Sequence, residues 1–184
     1  MKTYKILEKQ VYTHKNYKLI PIRYEDRFDI MKWRNEQIYH LRQNKILNLN
    51  DQENYFNQII SDLFDQEHPN QILFSFLEKD IFVAYGGLVH INWKDKNAEI
   101  SFVIDTDLEK NKFEKYWSIF LKLIEEVTFV YMNFHKLFVY AFDLRPNLYK
   151  VLEANNYIKE AVLKEHCFYN KKFIDVIIHS KINY

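Results

Sequence analysis

In the stretch "EISFVIDTDLEKNKFEKYWSIFLKLIEEV", residues 99–127, a strand pattern is followed directly by the pattern of a long helix, which indicates an α/β fold. The first part of the stretch alternates with period two, placing Ile100, Phe102 and Ile104 on one face and Glu99, Ser101 and Val103 on the other. An apolar stripe of helical period then predicts a helix that begins near Phe113. Between them, "DLEKNKF" (107–113) is predicted to be a turn. A turn at a helix N-terminus can cradle phosphate, but this one lacks glycine, so a purely structural connection stays open.

Length and composition predict one globular domain, residues 1–184, in which residues 1–16 form an N-terminal extension. The 26 Lys and Arg residues nearly balance the 25 Asp and Glu residues, so no nucleic-acid or membrane partner is expected. The single cysteine, Cys167, excludes an internal disulfide framework and fits a reducing compartment. No signal-like or membrane-spanning apolar run is present in the sequence, so we expect a cytoplasmic protein.

The sequence before the opening stretch alternates between strand and helix patterns. Three segments predict a strand and two helices: 17–26, 27–40 and 50–64. The second helix is expected to be capped by Asn50 with Glu53. Residues 71–105 predict three strands, the first two joined by a hairpin at Lys79-Asp80. Gly86-Gly87 within a strand indicates a bulge or the close approach of a ligand.

The sequence after residue 127 continues the alternation. It predicts an apolar strand, a short helix with Pro146 in its first turn, and a strand pair turning at "YNKK" (169–172). The resulting order, βααβββαβαββ, predicts an α/β domain. Its central mixed, twisted sheet should carry helices on both faces.

Three segments carry a resemblance to a known family. "LKEHCFYNKKFIDVIIHSK" (163–181) is similar to the C-terminal hairpin of ribosomal-protein N-terminal acetyltransferases. "MKWRNEQIYH" (31–40) resembles the first helix of nucleotide-amino-sugar N-acetyltransferases. "AEISFVID" (98–105) resembles the central strand that precedes the pyrophosphate loop in the superfamily to which both groups belong. Together with the element order, residues 17–182 resemble the GNAT superfamily of acyl-CoA-dependent N-acetyltransferases.

The resemblance implies acetyl-CoA as the co-substrate and assigns residues to it. Family members grip the pyrophosphate with a Gln/Arg-x-x-Gly-x-Gly/Ala turn, where this chain has Glu109, Lys112 and Glu114. Lysine charge would then have to replace close backbone contact. The expected cofactor-binding residues lie on the central strand and the turn: Phe102, Val103, Ile104, Lys110, Asn111, Lys112 and Phe113.

The resemblance also implies catalytic groups. Glu99 lies on an otherwise apolar strand, where a raised pKa would suit a general base, although a strand-end structural role stays open. His90 on the preceding strand is the alternative base. The family motif that supplies an acid tyrosine matches "VLEANNY" (151–157), where Leu152 replaces the tyrosine, and Tyr149 is the phenol one turn earlier.

The acceptor site is expected around Trp33, Arg34 and Asn35, with His166 as a further contact. The structural alternatives are that Trp33 is buried with two solvated neighbours and that His166 only packs in the hairpin. The resemblance implies a small-molecule primary amine, foremost a nucleotide-linked amino sugar of a surface-glycan pathway. A protein N-terminal acetyltransferase and a catalytically silent binding module stay open. No metal ligand spacing is present, and a homodimer is expected.

Overall fold

A computed structural model describes residues 2–184, which form one eight-stranded sheet flanked by helices. The strands are β1 (Tyr12–His14), β2 (Tyr17–Pro21), β3 (Ile72–Glu78), β4 (Ile81–Asn92), β5 (Asn97–Ile104), β6 (Lys136–Phe142), β7 (Ile158–Tyr169) and β8 (Lys172–Ile182). The longer helices are α1 (Arg27–Glu36), α2 (Leu49–Asn54, continued by a π-helical Tyr55–Ile60 and a last turn Ser61–Leu63), α3 (Thr106–Glu125, ending in a π-helical Glu126–Tyr131) and α4 (Pro146–Ala154).

The sheet order β1-β2-β3-β4-β5-β6-β8-β7 confirms the mixed α/β fold. All neighbouring strands are antiparallel except β5 and β6, which are parallel. The structure adds one strand, β1, from the segment that the sequence set apart as an extension. Tyr4 and Tyr12 of that segment are buried, and the Tyr4 hydroxyl donates to the Leu73 carbonyl at 2.9 Å. Residues 2–16 therefore contribute to the core.

Two tight hairpins form without glycine. Lys79 and Asp80 adopt positive φ angles of 50° and 66°, and Asn170 and Lys171 adopt 47° and 63°. Two consecutive residues with positive φ match the right-handed twist of the flanking strands. The hairpins expected at Lys79-Asp80 and at "YNKK" are confirmed.

Both faces of β5 are covered, and its alternation is as predicted. Phe102 stacks on Phe120 of α3 with ring centroids 3.9 Å apart. On the opposite face, Glu99 contacts Arg42 from the segment between α1 and α2. Among residues 2–184, no helix is long and apolar enough to cross a membrane.

Two helix starts differ from the sequence-based prediction. Helix α2 is capped by Asn48 in a reciprocal capping box with Asp51, so the cap predicted at Asn50 with Glu53 is wrong. Helix α3 begins at Thr106, so the turn predicted at 107–113 is wrong as well. Asp105 caps this helix by accepting from the amides of Asp107 and Leu108 at 2.9 and 3.1 Å. No Gly or Pro follows to stop the helix.

The glycine pair lies where three strands run close together. A Cβ at Gly86 would lie 2.3 Å from the Ser101 carbonyl oxygen of β5, and one at Gly87 would lie 2.0 Å from the Ile72 oxygen of β3. The strand pairing is continuous past both glycines. The close approach predicted from the sequence is therefore made by neighbouring strands, and neither a bulge nor a ligand is needed to explain it.

Gly86→Ala should lower the free energy of unfolding by about 3 kcal/mol, because the added methyl group overlaps a backbone that cannot move alone. Urea unfolding measures this change. Ile81→Ala, at an exposed position of the same strand, is the control and should cost far less. Equal stability of Gly86→Ala and the wild type would contradict the packing argument.

Candidate active site

The site lies in a gap between β5 and β6. The two strands pair only at Asn97, Ala98 and Glu99, and then separate although both continue. A cavity of about 360 Å³ opens there, walled by residues of both strands and by Arg34, His40, Arg42, His90 and Arg145. The Asp105 amide donates to Val83 of β4 at 2.9 Å. Because peptide directions alternate along a strand, the amides of Phe102 and Ile104 point toward the gap, whereas that of Val103 points toward β4.

Glu99 presents a carboxylate to this cavity. Its side chain is 7% exposed, and Oε1 forms an ion pair with Arg42. Oε2 faces His90 Nε2 at 3.9 Å, which is beyond hydrogen-bond distance. Burial raises the pKa of Glu99, and Arg42 only partly opposes this effect. Glu99 therefore has one oxygen open toward the cavity and an increased affinity for a proton.

His90 lies at an irregularity of β4 beside Glu99. Its φ angle is 49°, and the pairing of β4 with β5 is interrupted between Val89 and Asn92. Such a backbone in a non-glycine residue is uncommon and turns the imidazole toward the cavity wall. Burial, and then the charge of Arg42, lower the pKa of His90, so the neutral imidazole is favoured.

Of the three acceptor candidates on α1, only Arg34 reaches the cavity. Its Nη1 donates to the Tyr85 hydroxyl and its Nε to Gln43 Oε1, both at 2.9 Å. No carboxylate among residues 2–184 lies within ion-pair distance of it. Trp33 is buried and stacks on Phe82, and Asn35 bonds the backbone of the loop before α2. These two side chains therefore hold the helix in place.

Tyr149 and His166 lie outside the cavity wall. The Tyr149 hydroxyl donates to the carbonyl of Phe142, which does line the cavity, at 3.1 Å. Burial, and then Asp143, raise the pKa of Tyr149 far above its ordinary value. His166 is exposed, and its ring centroid is 6.1 Å from that of Tyr140, a wall residue.

The segment expected to cradle pyrophosphate is helical, so its amides from residue 110 onward donate within α3. Lys110 is exposed and pairs with Asp107 at 2.8 Å, and Asn111 is exposed. Phe113 packs under the guanidinium of Arg145, 5.0 Å from its ring centroid. The backbone nest that the resemblance implies is absent from this segment.

Lys112 belongs to a polar network that fastens α3 to the sheet. Its Nζ lies 3.0 Å from Glu78 Oε2, and the hydroxyl of Tyr116 donates to the same oxygen at 2.7 Å. The Tyr17 hydroxyl also donates to this carboxylate. These donors, led by Tyr17, lower the pKa of Glu78 to about 2.

Sequence reasoning missed three of the basic residues around the gap, His40, Arg42 and Arg145. His40 is the last residue of the predicted helix 27–40, Arg42 follows it in a segment without periodicity, and nothing in the sequence marks either as a site residue. Arg145 carries a weak signal, since it is the first basic residue after the apolar strand β6 and directly precedes Pro146. It pairs with Glu109 at 2.5 Å, across the start of α3 and α4.

Residues 20–178 match the family described as an acetyltransferase (GNAT) domain. The chain belongs to the GNAT acetyltransferase family. Members of this family are acyl-CoA-dependent N-acetyltransferases, and in this GNAT protein the cavity lies where β5 and β6 separate.

Solved structures agree on the fold. Spermidine N-acetyltransferase from Vibrio cholerae, in complex with CoA and spermine, has a TM-score of 0.77 at 17% identity, over 92% of this chain and 96% of that chain. A dodecameric structure of that enzyme gives 0.76 at 18%, over 92% and 95%. The ribosomal-protein-S5-alanine acetyltransferase from Vibrio fischeri gives 0.72 at 16%, over 95% and 97%.

Glu78→Gln should lower the free energy of unfolding at neutral pH, because four donors, Tyr17, Lys112, Lys115 and Tyr116, lose an ionised acceptor. The pKa of Glu78 is lower in the folded state, so its contribution is present above its ordinary value of 4.5 and is lost as the pH falls toward about 2. The difference between variant and wild type should therefore shrink over this interval. Urea unfolding at several pH values measures it, with exposed Glu114→Gln as the control. A difference that does not change with pH would contradict the assignment.

Proposed function

We propose that this GNAT protein transfers acetyl from acetyl-CoA to a primary amine on an acceptor that also carries negative charge. A nucleotide-linked amino sugar of a surface-glycan pathway is the leading candidate. The observation that carries the proposal is that one cavity contains both a buried carboxylate, Glu99, and an arginine, Arg34, that has no carboxylate partner.

Glu99 is the proposed general base. A primary amine is an ammonium ion at neutral pH and must lose a proton before it can attack a thioester. Arg42 holds Oε1, whereas Oε2 faces the cavity, so the second oxygen is placed to accept this proton directly or through water. The raised pKa of Glu99 brings its proton affinity closer to that of the amine. His90, 3.9 Å away, is the alternative acceptor.

Arg34 is the proposed contact for the anionic part of the acceptor. The guanidinium of Arg34 is partly buried and bonded only to a phenol and an amide, so its full charge has no counter-ion in contact with it. A phosphate group would satisfy it, because its oxygens match the planar donors of arginine. A polyamine would meet Arg34, Arg42 and Arg145 against the single wall carboxylate of Glu99. This charge balance argues against a purely cationic acceptor.

The gap between β5 and β6 supports the use of acetyl-CoA. Its volume suits a narrow pantetheine arm, and the unpaired strands present the amides of Phe102 and Ile104 to it. When bound, acetyl-CoA would supply the activated acetyl group. The Phe102 amide is placed to polarise a carbonyl in the gap. Tyr149 is the proposed proton donor to the leaving group, because its hydroxyl is the phenol next to the wall residue Phe142, to whose carbonyl it donates in this structure.

A second candidate is a protein N-terminal acetyltransferase. It is favoured by the hairpin resemblance at residues 163–181 and by the likeness to the ribosomal-protein acetyltransferase fold. A panel of amino-sugar nucleotides, peptides with free N-termini and polyamines separates these acceptors. A calorimetric titration with acetyl-CoA tests the whole proposal, because no heat of binding at millimolar ligand would favour a silent module. Self-association remains a prediction, which sedimentation of the full chain tests.

Glu99→Gln should lower turnover by about tenfold or more, because the amide cannot take the proton of the amine. Acetyl-CoA affinity should not change. In the wild type, kcat/KM should rise with pH as Glu99 loses its proton, above the ordinary carboxyl range, and the variant should lack this limb. His90→Gln is the comparison. If that variant loses the limb and Glu99→Gln keeps it, the base is His90.

Arg34→Ala should raise the KM for a nucleotide-sugar acceptor about tenfold, which corresponds to about 1.4 kcal/mol of binding. The KM for a small amine that carries no anionic group should stay near the wild-type value. Arg27→Ala on the same helix is the control, because Arg27 pairs with Glu53 away from the cavity. An equal rise in KM for acceptors with and without an anionic group would contradict an anion contact at Arg34.

A further inference from the structure

The mouth of the gap lies where α3 and α4 begin, at Thr106 and Pro146. Arg145, directly before α4, lines the cavity there, and its side chain is only 11% exposed. Its Nη2 donates to Glu109 Oε1 at 2.5 Å, which joins the first turns of the two helices. A guanidinium beside two helix N-termini creates a positive potential that favours an anion. Here the anion is a carboxylate of the chain itself.

The other terminal nitrogen of the Arg145 guanidinium, Nη1, bonds to a chain of polar side chains in which each donor and acceptor can be assigned. Burial, and then Arg145, lower the pKa of His40 to about 3, so its imidazole is neutral. Its Nδ1 therefore accepts from Arg145 Nη1 at 3.1 Å, and its Nε2 donates to Gln37 Oε1 at 3.2 Å. The Gln37 amide in turn donates to the Ile104 carbonyl at 2.7 Å. None of these partners carries charge, so Glu109 alone neutralises Arg145.

The other basic residues in the first turns of α3 are paired with carboxylates away from the cavity. Lys110 is exposed and pairs with Asp107, and Lys112 pairs with Glu78, the last residue of β3. Neither contributes to the cavity wall. The backbone amides after Glu109 donate to carbonyl groups within α3 and are not free to bind a ligand. At the mouth of the gap, Arg145 is therefore the positively charged residue of the cavity wall that an entering phosphate group would contact.

We propose that Arg145 binds a phosphate group of the acyl donor, and that Glu109 occupies its guanidinium as an internal substitute until the donor arrives. The inference rests on the proposed use of acetyl-CoA. A phosphate offers more charge and more acceptor oxygens than a carboxylate, so it can displace Glu109 from the arginine fork. The displaced carboxylate then opposes binding, because it remains near the phosphate.

Calorimetric titration with CoA tests the proposal, and pantetheine serves as the matching probe without phosphates. Glu109→Gln removes the competing charge and should tighten CoA binding about tenfold. Arg145→Gln should weaken CoA binding by a similar factor, and Arg145→Lys should retain part of it. Pantetheine affinity should be the same in all these proteins. Thermal unfolding of each variant shows that it is folded.

Asp107→Asn is the matched control, because it removes a carboxylate from the same helix turn without touching Arg145. Its CoA affinity should stay near the wild-type value. If Glu109→Gln increases the affinity for CoA no more than Asp107→Asn does, or increases the affinity for pantetheine equally, the proposal that Glu109 takes the place of a phosphate is overturned. That result leaves acetyl transfer by the wild type unaffected. If neither the wild type nor any variant binds CoA, the proposed function and this inference fail together.

Discussion

The separation of β5 from β6 after three residue pairs is the constraint on which the site depends. Parallel strands that part leave peptide donors and acceptors without partners, and buried peptide groups are costly when unpaired. The chain meets part of this need itself, since the Gln37 amide donates to the Ile104 carbonyl at the open end. The remaining peptide groups face the cavity. A ligand that supplies hydrogen-bonding groups is therefore favoured in this gap over any other part of the sheet.

The charges around the gap follow from the same geometry. Two arginines are balanced by carboxylates, Arg42 by Glu99 and Arg145 by Glu109. Arg34 is bonded only to neutral groups. Removing a charge from water without a counter-ion is expensive, which supports the proposed contact of Arg34 with an anionic group of the acceptor. The proposed proton acceptor, Glu99, and this proposed anion contact line the same cavity.

The sequence predicted the fold through its periodicities, and much of this was confirmed. The alternation in β5, the helical stripe after it and the two glycine-free hairpins all form as expected. The charged segment 107–113 predicts a turn, which puts the predicted start of α3 too late. Asp105 captures the first amides, and nothing after it breaks a helix, so the helix begins seven residues earlier. That shift removes the expected phosphate nest.

Local features can be predicted from the sequence alone: which segments are strands or helices, which faces are apolar, and that Glu99 is a carboxylate on an otherwise apolar strand. These features depend on spacings of two to four residues. The partners of the charged groups follow from the folded arrangement, because Arg42 lies 57 residues from Glu99 and Arg145 lies 36 residues from Glu109. The folded arrangement also decides that Trp33 is buried while its neighbour Arg34 faces the cavity. No short-range pattern encodes such contacts, since they depend on how α1, α3 and α4 dock on the sheet.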